Sequence, residues 1–195
     1  MKKTVLAMLA LAFSVNASAQ DYTQFINGDN IIGSITAPVT IIEYASMTCG
    51  HCANFDKNVV QPLKDDYIAK GKVAYAFRDF PLDRLAFAVS KVQRCVPKED
   101  FYTLVEAYFT YQREWLGAED KLAAIKNIAK LGGLSDEKVE ECIKDENIQQ
   151  EIEIQRQSAV SLGVNSTPTI FVNGKMHTGI GSYEELKRII DTELK

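Results

Sequence analysis

The chain has 195 residues, 46% of them apolar, with 22 basic residues against 26 acidic ones and a net charge of −4 at pH 7. That balance lacks the basic excess that nucleic-acid binding needs, so nucleic acid is excluded as a partner. An apolar fraction of this size at this length can bury a sizeable core, so no disulfide has to stand in for one.

The N-terminus reads MKKTVLAMLALAFSVNASAQ: two lysines, an apolar run from Val5 to Val15, then Ala17-Ser18-Ala19. This is the pattern of a secretory signal peptide over residues 1–19. The run is shorter than the roughly 20 residues that span a bilayer, and no later segment is long and apolar enough to do so. Cleavage near Gln20 or Asp21 would remove Lys2 and Lys3 and leave 20 basic residues against 26 acidic, a balance of −6. With no cysteine at the cleavage point to carry a lipid, the expected location is a bacterial periplasm, with full secretion as the alternative. All four cysteines, Cys49, Cys52, Cys95 and Cys142, lie in the exported part. There the compartment permits disulfides, and an even count fits two pairs.

From Pro38 the stretch PVTIIEYA is apolar and β-branched and reads as a buried strand. After Cys49-Gly50-His51-Cys52, the spacing of Phe55, Val59, Val60, Leu63 and Tyr67 predicts a helix over 53–69, ended by Gly71. KVAYAFRDF alternates apolar and polar residues and predicts a second strand over 72–80, closed by Pro81, which completes a βαβ unit with a right-handed crossover. Helical periodicity then runs through 83–95, 97–113, 119–131, 135–144 and 147–162, with Ser135 as an N-cap and Gly132-Gly133 and Gly163 as stops. TIFVNGKMHT predicts strands over 169–172 and 175–178 joined by Asn173-Gly174, the strongest short hairpin signal. Ser182 caps a last amphipathic helix over 183–194. The division is therefore residues 20–81, a helical insertion at 82–163, and 164–195.

The pair Cys49/Cys52 admits three readings. A zinc site needs four ligands, and the only other histidine is His177 while Cys95 and Cys142 stand apart in separate helices. A structural staple is possible in geometry but removes little entropy, because the loop it closes is so short. A redox pair fits the placement, since Cys49 falls at a helix N-terminus, where free N–H groups and the dipole stabilise a thiolate, and protonated His51 would add positive charge beside it. Lowering a thiol pKa from about 8.5 to about 4 would stabilise the reduced form by roughly 4 kcal/mol at pH 7. For a two-electron couple that is on the order of 90 mV towards a stronger oxidant.

The strand-Cys-x-x-Cys-helix at Cys49 to Cys52, the long helical run and Thr167-Pro168 before a late strand together resemble the DsbA family of bacterial thiol:disulfide interchange proteins. The resemblance implies an α/β thioredoxin-like fold with an inserted all-helical subdomain. It implies that Pro168 is cis and, with Thr167, faces the redox pair across a substrate groove. It implies that Glu43 lies beneath the pair and moves protons to or from Cys52, whereas otherwise Glu43 would mark the strand end and reach solvent. It implies a second disulfide, Cys95 to Cys142, the alternative being two separate buried thiols. One departure stands out: Gly50-His51 occupies the middle of the motif where the typical oxidase has Pro-His, and Gly-His is the pair of protein disulfide isomerase. Met47 is expected to line an apolar peptide-binding surface.

The resulting expectation is an enzyme, a periplasmic dithiol oxidase that introduces disulfides into reduced, unfolded exported proteins. It would act as a monomer, without metal or organic cofactor, and be reoxidised by a membrane DsbB-like, quinone-linked partner. The alternatives are an isomerase or reductase of the same fold and a non-catalytic metal-handling protein that uses Cys49, His51 and Cys52 as soft ligands.

Overall fold

The computed structural model describes residues 20–195. The expected signal peptide lies outside the described residues.

Five strands form one mixed sheet: β1 (Ile31–Ile32), β2 (Val39–Ala45), β3 (Val73–Asp79), β4 (Thr169–Val172) and β5 (Lys175–Thr178), in the spatial order β1-β3-β2-β4-β5. β2 and β3 pair in parallel, joined by α1 over residues 50–68, and β4 and β5 add antiparallel partners on the far side of β2. The Asn173-Gly174 turn has positive φ at both residues, 47° and 79°, as a tight hairpin of this type requires. Six helices stand between β3 and β4: α2 (Arg84–Gln93), α3 (Phe101–Thr110), α4 (Gln112–Gly117), α5 (Lys121–Ala129), α6 (Asp136–Lys144) and α7 (Glu146–Ser161). α8 (Tyr183–Glu193) follows the hairpin and seals one face of the sheet with Leu186 and Ile190.

Five of the helices, α2, α5, α6, α7 and α8, begin where a side-chain oxygen satisfies a first-turn N–H group. Asp83, Asp120, Ser135, Asp145 and Ser182 each accept from the opening turn of the helix they precede. The helix expected over 97–113 is instead broken at Tyr111 into α3 and α4. α1 is wound unevenly, with π turns at Asp56–Val60 and Lys64–Ile68 on either side of Gln61–Leu63. Pro62 has no N–H and cannot serve the carbonyl four residues back, which accounts for wider winding beside it.

β3 corrects the alternating pattern expected of it. All seven of its residues are buried, because β1 and β2 flank it and both of its faces are covered. Its polar members are buried in pairs. Arg78 is bonded to Asp29 at 2.7 Å, to the Tyr22 and Gln24 carbonyls and to the Tyr44 hydroxyl, which fastens the N-terminal segment over the sheet. Asp79 accepts from Arg94 at 2.9 Å. β1, unforeseen because it is only two residues long, lies against β3 and ends at Gly33, where φ is +91° and a Cβ would stand 2.5 Å from the Val73 carbonyl.

One apolar cluster runs from the sheet into the inserted helices, joining Val39, Ile41 and Phe77 to Leu104, Trp115, Ile125 and Val139. The aromatics Phe101, Tyr108, Phe109 and Trp115 are buried in it, and Tyr102 packs against it partly buried. Cys95, just past α2, is bonded to Cys142 on α6, closing a separation of 47 residues within the insertion. In the chain-entropy treatment a loop of that length is worth roughly 4 kcal/mol.

Candidate active site

β2 ends at Ala45 and α1 opens at Gly50, and the loop between them delivers Cys49 as the N-cap residue of α1. Its sulfur accepts from the Cys52 N–H at 3.3 Å. Cys49 is half-buried, whereas Cys52, on the first turn, is fully buried, and both are free thiols. The Thr167–Pro168 peptide bond is cis, and it turns the Thr167 carbonyl to the Cys49 sulfur, 3.4 Å away. Residues separated by 118 positions thus meet at one sulfur.

The two thiols are driven apart in acidity. The Cys49 thiol falls from 9.0 to about 5, chiefly because the Cys52 thiol hydrogen-bonds to its sulfur, with help from Thr167 and from the backbone N–H groups of Cys52 and His51. The Thr167 hydroxyl is buried beside it without a hydrogen-bond partner. Cys52 moves the opposite way, pushed far up by burial first, then by its bond to Cys49 and the charges of Glu43 and Cys49. The histidine expected to assist through its ring contributes here through its backbone: the His51 side chain is exposed.

Glu43 sits in the middle of β2, only 1% exposed, and does not reach solvent. Burial raises its carboxyl to about 8, against the opposing pull of the Tyr75 hydroxyl, which donates to Oε2 at 2.5 Å, with smaller upward pushes from Asp56 and Cys49. Oε1 is buried without a partner. A carboxyl raised to about 8 is mostly protonated at pH 7, and the Glu43 charge acts on the buried Cys52 thiol.

Met47 corrects an expectation. It is fully buried, with its sulfur 2.9 Å from Gln93 Nε2, and lines no surface. The loop bends inward there because the insertion holds it: Gln112 Nε2 on α4 donates to the carbonyls of Met47 at 2.8 Å and Cys49 at 3.0 Å. Thr48 donates to Asp83 at 2.6 Å and Ser46 Oγ accepts from Leu82 N–H at 3.3 Å. Gln112 carried no sequence signal, since a glutamine on an aromatic-rich helix reads as a solvent-facing residue. Gly50 faces Gln112 Oε1, which would lie 3.9 Å from an added Cβ. Cys95 and Cys142 are held apart from this site in their own disulfide. His177 lies on β5, and Ile180 of the Gly179-Ile180-Gly181 loop packs into the core. Among the described residues no three His, Cys, Asp or Glu side chains converge as metal ligands, and no helix is long and apolar enough to cross a membrane.

The thioredoxin family model matches residues 26–192. A putative protein-disulfide oxidoreductase of Rickettsia typhi is 28% identical over 174 residues, covering 87% of this chain and 63% of that protein. Disulfide bond formation protein D of Bacillus subtilis is 28% identical over 180 residues, covering 87% of this chain and 79% of that protein. The chain thus spans a little under two thirds of the length of the Rickettsia relatives. The crystal structure of alpha-DsbA1 from Wolbachia pipientis, 29% identical, superposes with a TM-score of 0.81 over 89% of this chain and 95% of that one.

Proposed function

The chain belongs to the thioredoxin family, in its DsbA-like branch, and on that premise we propose that it is a periplasmic protein-disulfide oxidase. The observation that carries the reading is the asymmetry of the two sulfurs: Cys49 half-exposed and acidic at the start of α1, Cys52 buried and far less acidic.

The cycle starts with a Cys49–Cys52 disulfide. A thiolate of a reduced, unfolded exported protein attacks the Cys49 sulfur, a mixed disulfide forms, and Cys52 leaves. Cys52 is too weak an acid to leave well as a bare thiolate, and Glu43, protonated at neutral pH, is the group suited to supply its proton. A second substrate thiolate then attacks the substrate sulfur of the mixed disulfide and Cys49 leaves as its stabilised thiolate. Two electrons pass from the substrate dithiol to the enzyme. A membrane DsbB-like, quinone-linked partner takes them away. Thr167 and Pro168 present backbone at the reacting sulfur, where an extended substrate segment would lie, and the protein works as a monomer.

Ionisation of Cys49 from 9.0 down to about 5 stabilises the reduced form by at most about 3 kcal/mol at pH 7, and roughly half of that survives solvent screening at a half-buried sulfur. The gain in oxidising power is on the order of 30–60 mV, smaller than the expectation from sequence. Gly50-His51 favours a second reading, an isomerase, which would need a potential that lets the pair release and re-form disulfides. Equilibration of the Cys49/Cys52 pair with glutathione measures this. A potential well above about −270 mV, the thioredoxin value, is expected, and a value at or below it would overturn the oxidase.

A further inference from the structure

Next to the redox loop, α2 and α7 enclose a groove of about 700 Å³ that begins at Pro81, Leu82 and Asp83. It adjoins the redox loop through two hydrogen bonds, from Thr48, the neighbour of Cys49, to Asp83 and from the Leu82 N–H to Ser46 Oγ. Leu82, 53% exposed, stands at its mouth, and Phe87 and Ile143 supply apolar wall.

Three cations line it: Arg84, Lys91 and Arg156. Lys91 is the unusual one. It is only 4% exposed, and its ammonium, with three protons to donate, has a single long bond, to Gln149 Oε1 at 3.5 Å. A lysine this buried is ordinarily paired. None of the three forms an ion pair among the described residues. The carboxylates on the same groove are already engaged: Asp83 accepts from Thr48 and from the Ala86 N–H, and Glu153 accepts from Gln149 Nε2. Arg156 is held in place over the Phe80 ring, 5.3 Å from its centroid. On a protein of net negative charge, this is a pocket built for a negative group.

We propose that this groove docks an acidic, partly apolar segment of the polypeptide whose thiols react at Cys49, with a carboxylate of that segment taken by Lys91 and flanked by Arg84 and Arg156. The proposal rests on the oxidoreductase reading only for the adjoining chemistry; the groove itself stands on charge complementarity and on its continuity with the redox loop. Apolar residues of the segment would lie on Leu82, Phe87 and Ile143, and the ammonium of Lys91 would gain the partner that its burial demands.

The test is equilibrium binding, by fluorescence anisotropy, of a cysteine-free labelled peptide alternating Glu and Leu, against its Gln and Leu counterpart. The Glu peptide is expected to bind roughly tenfold tighter, and added salt should narrow the gap. Lys91→Met, which keeps an unbranched side chain one atom shorter and removes the charge, and the exposed double variant Arg84→Gln/Arg156→Gln should each remove the preference. The double variant serves if Lys91→Met does not fold. Equal binding of the two peptides, or a preference that survives the substitutions, would overturn the proposal. Oxidation of a neutral dithiol peptide by the same samples reads the redox chemistry separately. Tight Glu-peptide binding without any thiol oxidation would uphold the groove and end the oxidase reading.

Discussion

Glu43→Gln removes a charge that the fold resists and a proton that the chemistry needs, and the two effects can be measured apart. An acid whose pKa is raised on folding costs nothing below its unfolded value, costs more as pH climbs between the two values, and reaches a constant cost above the folded one. For Glu43 those limits are 4.5 and about 8. At pH 7 the cost comes to about 3 kcal/mol, and at pH 4.5 to about 0.4 kcal/mol. Glutamine keeps an acceptor for the Tyr75 hydroxyl but places an amide where Oε1 has no partner, a penalty of roughly 1–3 kcal/mol that does not change with pH. The quantity to compare is therefore the difference in stability between variant and wild type at the two pH values. Urea unfolding of both oxidised proteins at pH 4.5 and pH 7 should show the variant gaining about 2–3 kcal/mol on the wild type as pH rises. A gain below about 0.5 kcal/mol would mean that Glu43 ionises like a surface carboxylate, and would refute the burial argument. In the chemistry, the same variant should slow release of Cys52 from the disulfide by roughly a hundredfold near pH 7 in stopped-flow mixing with a thiol peptide. An unchanged rate would remove Glu43 from the proton path.

Other expectations follow from single contacts. Gln112→Leu leaves the Met47 and Cys49 carbonyls without their donor, and should cost about 1–3 kcal/mol in chemical unfolding; a neutral result would mean that water replaces the amide. Gly50→Pro puts proline at the first position of α1, where a Cβ meets nothing closer than 3.9 Å. It should leave stability unchanged or raise it by up to about 1 kcal/mol in thermal melts, and a loss of more than that would show that the Gly50 N–H or φ is needed. The double variant Cys95→Ala/Cys142→Ala should lose roughly 2–4 kcal/mol of stability while the Cys49 thiolate still titrates near its wild-type pH. A large shift in that titration would couple the two cysteine pairs.

The elements that sequence revealed best were those whose local chemistry is decisive: Asn173-Gly174 for the hairpin, Ser135 and Ser182 for helix starts, and β-branched runs for β2 and β4. Cys49 and Cys52 were legible because a strand leading into a helix sets their surroundings by itself. What stayed hidden depends on partners distant in the chain. Arg78 and Asp79 looked like the polar positions of a half-exposed strand, and only the pairing with Asp29 and Arg94 lets them be buried. Met47 looked like a loop residue free to meet substrate until Gln93 and Gln112 drew its loop inward. Gln112 itself acts across 63 residues on the Cys49 carbonyl, a relation no local pattern encodes.

The acidity of Cys49 is the central quantity, since it sets how readily the sulfur leaves and how far the couple is driven towards the reduced state. Following thiolate absorbance near 240 nm in the reduced protein, with Cys49→Ser as the blank, measures it directly. A transition centred near pH 5 is predicted; a transition near 9.0, the value of an unassisted thiol, would contradict the account.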